Sequence, residues 1–139
     1  MYNNILLAAD GSEHSERAAD HAIQFASLDE TSVIDLLLVI DMSESKTEVL
    51  ETSHMDDLDK ERRQRLATIE EKLNDANVNY HLKIIHGDPG PSIVSYANQR
   101  FYDILIIGSR GLNPWQEMVL GSVSHKVAKR VKCPVLIVK

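Results

Sequence analysis

Five short apolar runs, separated by amphipathic stretches, constrain this chain of 139 residues more than any other feature. They lie at residues 5–9, 33–40, 80–85, 103–107 and 135–138. Residues 36–40 and 104–107 are apolar without interruption, where a strand with one wet face would alternate. Unbroken runs of that length suit strands covered on both faces, as in a parallel sheet. The stretches between them carry helical signals. Ser12 is suited to cap a helix running to about Ser27, with Ala18, Ala19, Ala22, Ile23 and Ala26 on one face. Leu58, Leu66, Ile69 and Leu73 predict one longer second helix, with Glu61, Arg62, Glu70 and Lys72 outside. Pro91 fits the first turn of a third helix containing Ile93, Val94 and Ala97. Ser122 is expected to cap a fourth that buries Val123, Val127 and Val131. The order βαβαβαβαβ predicts an open, doubly wound α/β fold, a five-stranded parallel sheet with helices on both faces.

No repeat, linker or shift in composition divides the chain, so residues 1–139 are expected to form one domain. Residues 42–55 are rich in Ser, Thr and Glu and lack a period. They read as a solvated loop, with a lid as the functional alternative. A net charge of −6 argues against a nucleic-acid or membrane-surface partner. The first residues lack the basic start of a secretory leader, and no stretch reaches the roughly 20 apolar residues of a membrane span. A cytoplasmic location is expected. The one cysteine, Cys133, excludes an internal disulfide and sits beside apparent core, where packing is its expected role. His14 and His21 lie seven apart, and His81 and His86 five apart, without a third ligand at a metal-binding spacing.

Ligands of open α/β sheets bind outside the carboxyl ends of the strands, at the switch point. Two polar turns follow strand ends here, Asp10-Gly11-Ser12 and Gly108-Ser109-Arg110-Gly111. They face one cleft if the first and fourth strands are neighbours. Neither a GxxxxGK[ST] loop nor a GxGxxG fingerprint occurs. The chain instead reads GSRGLNPWQEMVLGSVS from 108 to 124: Gly108, two residues, Gly111, nine residues, then Gly121 and Ser122. Glycine lets backbone amides approach a ligand closely. The Gly-Ser pair opens a helix, whose free N–H groups and positive dipole end favour an anion, with phosphate the natural candidate. Trp115, the only tryptophan, lies inside this stretch.

These features together resemble the universal stress protein family, of the ATP-binding type. The resemblance runs over essentially the whole chain. It includes the opening ILLAADGSEHSERAADHA, the strand end at Val39–Asp41, the turn GDPGPSI, the run DILIIGSRG and the ending GSVSHKVAKRVKCPVLIVK. It implies the adenine nucleotide alpha hydrolase-like version of the doubly wound fold. It also implies that Gly108, Ser109, Arg110 and Gly111 wrap the ribose and phosphates, and that Gly121, Ser122, Val123 and Ser124 hold the phosphates at the helix start. Val39 would offer backbone groups to the adenine, Asp10 would line the nucleoside end, and Ala8 would line the pocket beneath. Many relatives carry proline near the end of the first strand, where this chain has Ala8-Ala9. Mg²⁺ or Mn²⁺ would arrive on the phosphates rather than on protein ligands. A homodimer through the last strand is implied as well, with a protein partner of unknown identity.

The leading reading is an ATP-binding regulatory protein of the stress response. Two others stay open: a slow ATPase or phosphoryl-transfer enzyme, and a partner-binding protein independent of nucleotide. The absence of a P-loop lysine or an evident catalytic base beside the motif weighs against strong turnover.

Overall fold

The five apolar runs are strands, and the computed structural model, which describes residues 1–41, 52–111 and 121–139, aligns them in one sheet. Among the described residues the strands are β1 (Asn4–Ala8), β2 (Val33–Ile40), β3 (Asn79–His86), β4 (Ile104–Gly108) and β5 (Val135–Val138). The helices are α1 (Glu13–Ala26), α2 (Thr52–Gln64), α3 (Ala67–Asp75), α4 (Pro89–Gln99) and α5 (Ser122–Arg130). Every neighbouring pair of strands is parallel, in the order β3-β2-β1-β4-β5. The chain builds outward from β1 through β2 to β3, then returns to the other side of β1 for β4 and β5. The switch point therefore lies between β1 and β4, and β5 is an edge.

Alternation along each strand divides the core into two layers. Ile5, Leu7, Ile34, Leu36 and Ile106 pack under α1 and α3 on one face. Ala18, Ala19 and Ala22 let α1 lie close to the sheet there. Leu6, Leu37, Leu105 and Ile107 pack on the other face, against Ile93 and Ala97 of α4 and Val127 of α5. Both faces of the central strands are covered, which explains their uninterrupted apolar sequence. On the second face the phenolic hydroxyl of Tyr102 donates to Asp35 Oδ2 at 2.6 Å. Burial first, and then this bond, hold the Tyr102 hydroxyl well above the ordinary tyrosine range.

Three helix boundaries differ from the sequence expectation. The long second helix is two helices. Arg65 N–H donates to the Arg62 carbonyl (3.2 Å) and Leu66 N–H to the Arg63 carbonyl (2.9 Å), a tight 3₁₀-like turn that ends α2. No glycine or proline marks the break, and Leu58, Leu66, Ile69 and Leu73 would fit one stripe of roughly 80° on an unbroken helix. The cause is tertiary: Arg65 packs against Gly11, and Leu66 is fully buried beyond the turn. The chain is already helical from Thr52, inside the stretch expected to be a loop. Residues 42–51 of that loop, and Trp115, lie outside the described residues. At α5 the N-cap is Gly121, with extended backbone (φ −68°, ψ 161°), and Ser122 is the first helical residue. The Gly121 carbonyl accepts from His125 N–H at 3.0 Å, which places the cap one residue earlier than expected. Val127 is buried, while Val123 and Val131 are only partly so.

Candidate functional site

The two polar turns leave adjacent strands side by side, because Ala8 of β1 pairs with Ile107 of β4. Gly11 adopts a φ of 89°, which favours glycine. Asp10 Oδ1 accepts from Ser12 N–H (2.9 Å), closing an Asx turn, and Gly11 N–H donates to Ser15 Oγ (3.1 Å). The other oxygen of Asp10 faces the second turn: a Cβ placed on Gly111 would lie 2.6 Å from Oδ2. A side chain at 111 would make the Asp10 carboxylate shift, so the two turns lie close together here.

Main-chain bonds tie the second turn to β5 and to the start of α5. Ser109 N–H donates to the Val138 carbonyl (2.7 Å), and Gly121 N–H donates to the Ser109 carbonyl (2.7 Å). The hydroxyl of Ser124 donates to the Gly108 carbonyl at 2.7 Å. The first turn of α5 is thus held beside the end of β4. Among the described residues α5 has no side-chain cap hydrogen bond, whereas the Ser12 hydroxyl of α1 accepts from Ser15 N–H. An α-helix start without a cap presents N–H donors and the positive end of its dipole. Among the described residues, a Cβ on Gly121 would meet only the Ser109 carbonyl oxygen (3.4 Å) and Arg110 Cα (3.6 Å), both ordinary contacts. Packing among the described residues therefore does not require glycine at 121.

A cleft of about 710 Å³ opens over these turns, within the range of small-molecule sites. Ala8, Leu37, Val39 and Ile107 give it an apolar floor. Asp10, Gly108, Arg110 and Gly111 line it from the turns, and Gly121, Ser122, Val123 and Ser124 from α5. Of the nucleotide-site residues that the family resemblance implies, Ser109 alone is outside the lining. It is buried, its backbone is committed to Val138 and Gly121, and its hydroxyl lies 3.3 Å from His14 Nδ1. Its place is that of a brace behind the loop rather than a wall of the cleft. Gly108 has a packing reason of its own: a Cβ there would lie 2.7 Å from His14 Cβ and 2.8 Å from the His14 carbonyl carbon.

The cleft also has walls that sequence reading missed. Asp41 follows β2 as Asp10 follows β1, a placement that the strand assignment alone could have revealed. Asp88 and Pro89 enter from the start of α4. Arg62 enters from α2, where it had read as part of the solvated outer face, and Arg65 from the turn that follows that helix. Leu58 is buried under α2, and His86 Nε2 sits 2.8 Å from Asp59 Oδ1, fastening that helix to the end of β3. Cys133 is not part of the lining, and burial raises its thiol above the ordinary range, as suits packing rather than nucleophilic chemistry. Among the described residues no three His, Cys, Asp or Glu side chains gather to hold a metal ion. Among the same residues no helix is long and apolar enough to cross a membrane.

The universal stress protein family model matches residues 1–139. The chain is 32% identical to the universal stress protein YxiE of Bacillus subtilis, with 100% of each protein covered. It is 33% identical to the universal stress protein MJ0577 of Methanocaldococcus jannaschii, over 100% of this chain and 96% of that one. The solved structure of MJ0577 matches with a TM-score of 0.87 at 36% identity, covering 100% of this chain and 96% of the other. A universal stress protein solved in complex with cAMP matches with a TM-score of 0.75 at 24% identity, over 99% and 97%. At that identity the likeness is one of fold.

Proposed function

The chain belongs to the universal stress protein family, and we propose that it binds an adenine nucleotide, ATP foremost, in the cleft over β1 and β4. The observation that carries this reading is the uncapped start of α5 beside an unhindered Gly121. A phosphate placed there would meet N–H donors and the helix dipole. The apolar floor of Ala8, Val39 and Ile107 suits a base, and the arrangement of turn, strand end and helix start suits a ribose and phosphate chain between them. That a protein with the same fold has been solved in complex with cAMP accords with a nucleotide as the ligand. Mg²⁺ or Mn²⁺ would enter on the phosphates, within reach of the Asp10 carboxylate. Binding would order the turn and helix start and bias the conformation that a protein partner reads in the cytoplasm.

Calorimetric titration of nucleotide-stripped protein with ATP and Mg²⁺ tests the reading. About one ATP per chain, with affinity in the micromolar range, is expected. Folded protein that gives no heat would reduce the glycine loop to a structural turn.

The same reading includes a homodimer. β5 is an edge strand with Val135, Leu136 and Ile137 only partly covered, and a two-fold pairing of β5 with its copy would close that edge. Light scattering at micromolar concentration should give the mass of two chains; a single-chain mass would count against it.

A further inference from the structure

Resting on the nucleotide reading, we propose that His14, which is not part of the cleft lining, is a positioning residue for the phosphate site. Its ring holds Ser109, and through Ser109 the start of α5, in the geometry the ligand needs. His14 stands in the first turn of α1, where the Ser12 hydroxyl caps the helix by accepting from Ser15 N–H at 3.2 Å. The helix beyond it is anchored by Ala18, Ala19 and Ala22, all fully buried. The main chain of His14 also abuts β4, since a Cβ on Gly108 would lie 2.8 Å from the His14 carbonyl carbon. His14 is therefore a fixed point beside the end of β4.

The two neighbours of the ring decide its chemistry. Nδ1 lies 3.1 Å from Arg17 Nη2 and 3.3 Å from the Ser109 hydroxyl oxygen. A guanidinium donates and cannot accept, so Nδ1 is the acceptor and the ring proton sits on Nε2. The Ser109 hydroxyl rotates to donate to the same nitrogen. One lone pair shared by two donors accounts for contacts longer than an undivided bond. Arg17 steadies the ring, because its Nε donates to the Lys139 carbonyl oxygen at 2.8 Å. Ser109 N–H donates to the Val138 carbonyl, so Ser109, His14, Arg17 and the end of β5 close one ring of contacts. Ser109 passes this restraint on. Its carbonyl accepts from Gly121 N–H at 2.7 Å, at the N-cap of α5. A tilt of the Ser109 peptide would thus re-aim the N–H groups where the phosphate is proposed to sit, and hydrogen bonds weaken steeply with misalignment. Ser109 is 2% exposed and outside the lining, so its hydroxyl acts on binding only through this geometry.

The test is calorimetric titration of ATP with excess Mg²⁺ into the wild type, His14→Asn, His14→Leu, Ser109→Ala and the double variant His14→Leu/Ser109→Ala. Thermal melts establish that each is folded. Asn and Leu share a branched shape, but Asn Oδ1 can accept in place of Nδ1 and Leu cannot. His14→Leu should lose about 3- to 10-fold in ATP affinity, and His14→Asn should stay within about twofold of the wild type. Ser109→Ala should lose about as much as His14→Leu, and the double variant no more than either, because all three remove one contact. A ring that only fills space would show neither the rescue by Asn nor this lack of additivity. Unchanged affinity in folded His14→Leu would overturn the proposal. So would an equal loss in His14→Asn, or losses that multiply in the double variant. In those cases wild-type binding would still support the nucleotide site. A folded wild type that binds no ATP would sink both. Should His14→Leu fail to fold, Ser109→Ala and His14→Asn carry the comparison, and equal affinity in those two would overturn the proposal.

Discussion

Alanine at position 11 should destabilise the protein by about 2–6 kcal/mol, the sum of two independent costs. The first is conformational. Gly11 sits at φ 89°, and holding an L-residue in that region costs on the order of 1–3 kcal/mol. The second is steric. The new Cβ would stand 2.6 Å from the carbonyl oxygen of Arg65 and 2.8 Å from its Cβ. These are backbone and near-backbone atoms at the end of a packed helix, so they cannot swing aside as a long side-chain tip would. Overpacking of this kind costs about 1–3 kcal/mol. The expected fall in melting temperature is on the order of 10 °C. Urea unfolding monitored by circular dichroism would measure it. An unchanged midpoint would mean that the end of α2 moves freely off the turn.

Gly11 also shows where sequence reasoning stopped. The strands, their parallel pairing and the helices on both faces were legible, because uninterrupted apolar runs such as residues 104–107 mark strands covered on both sides. The glycine loop was legible because its spacing is unusual and its position after a strand is informative. The break between α2 and α3 was not. Its periodicity continues across Arg65, and the force that ends the helix comes from a turn some fifty residues earlier in the chain. The arginines were missed for the same reason. On an isolated helix, Arg62 and Arg65 beside Glu61 are a solvated ion-pair face. Only the packing of the turn after α2 on Asp10–Gly11 brings these two residues to the cleft. Ser109 shows the converse: a polar residue inside the motif is taken up by His14, Val138 and Gly121 rather than by the cleft.

Valine at position 121 should leave the fold standing and abolish ATP binding. In sequence, Gly108 and Gly121 belong to one motif, yet the structure gives them different reasons to be glycine. A Cβ at 108 runs into the backbone of α1 at His14, so Gly108→Ala is expected to cost about 1–3 kcal/mol of stability whether or not nucleotide binds. Among the described residues a Cβ at 121 meets only ordinary contacts, and the backbone there is extended, which a β-branched residue adopts without strain. The protein should lose no more than about 1 kcal/mol from the poorer N-cap. What the side chain does obstruct is the approach to the N–H groups of Ser122 and Val123, where the phosphate is proposed to sit. Binding should fall about 100-fold or more, equivalent to roughly 2.7 kcal/mol. Gly121→Ala, with one methyl in place of an isopropyl group, should fall between. A melting temperature close to the wild type's, together with lost calorimetric heat, would separate a ligand contact from a packing contact at this residue. Wild-type ATP affinity in folded Gly121→Val would remove the start of α5 from the binding site, since no chain flexibility in the ligand lets a phosphate share the space of an isopropyl group.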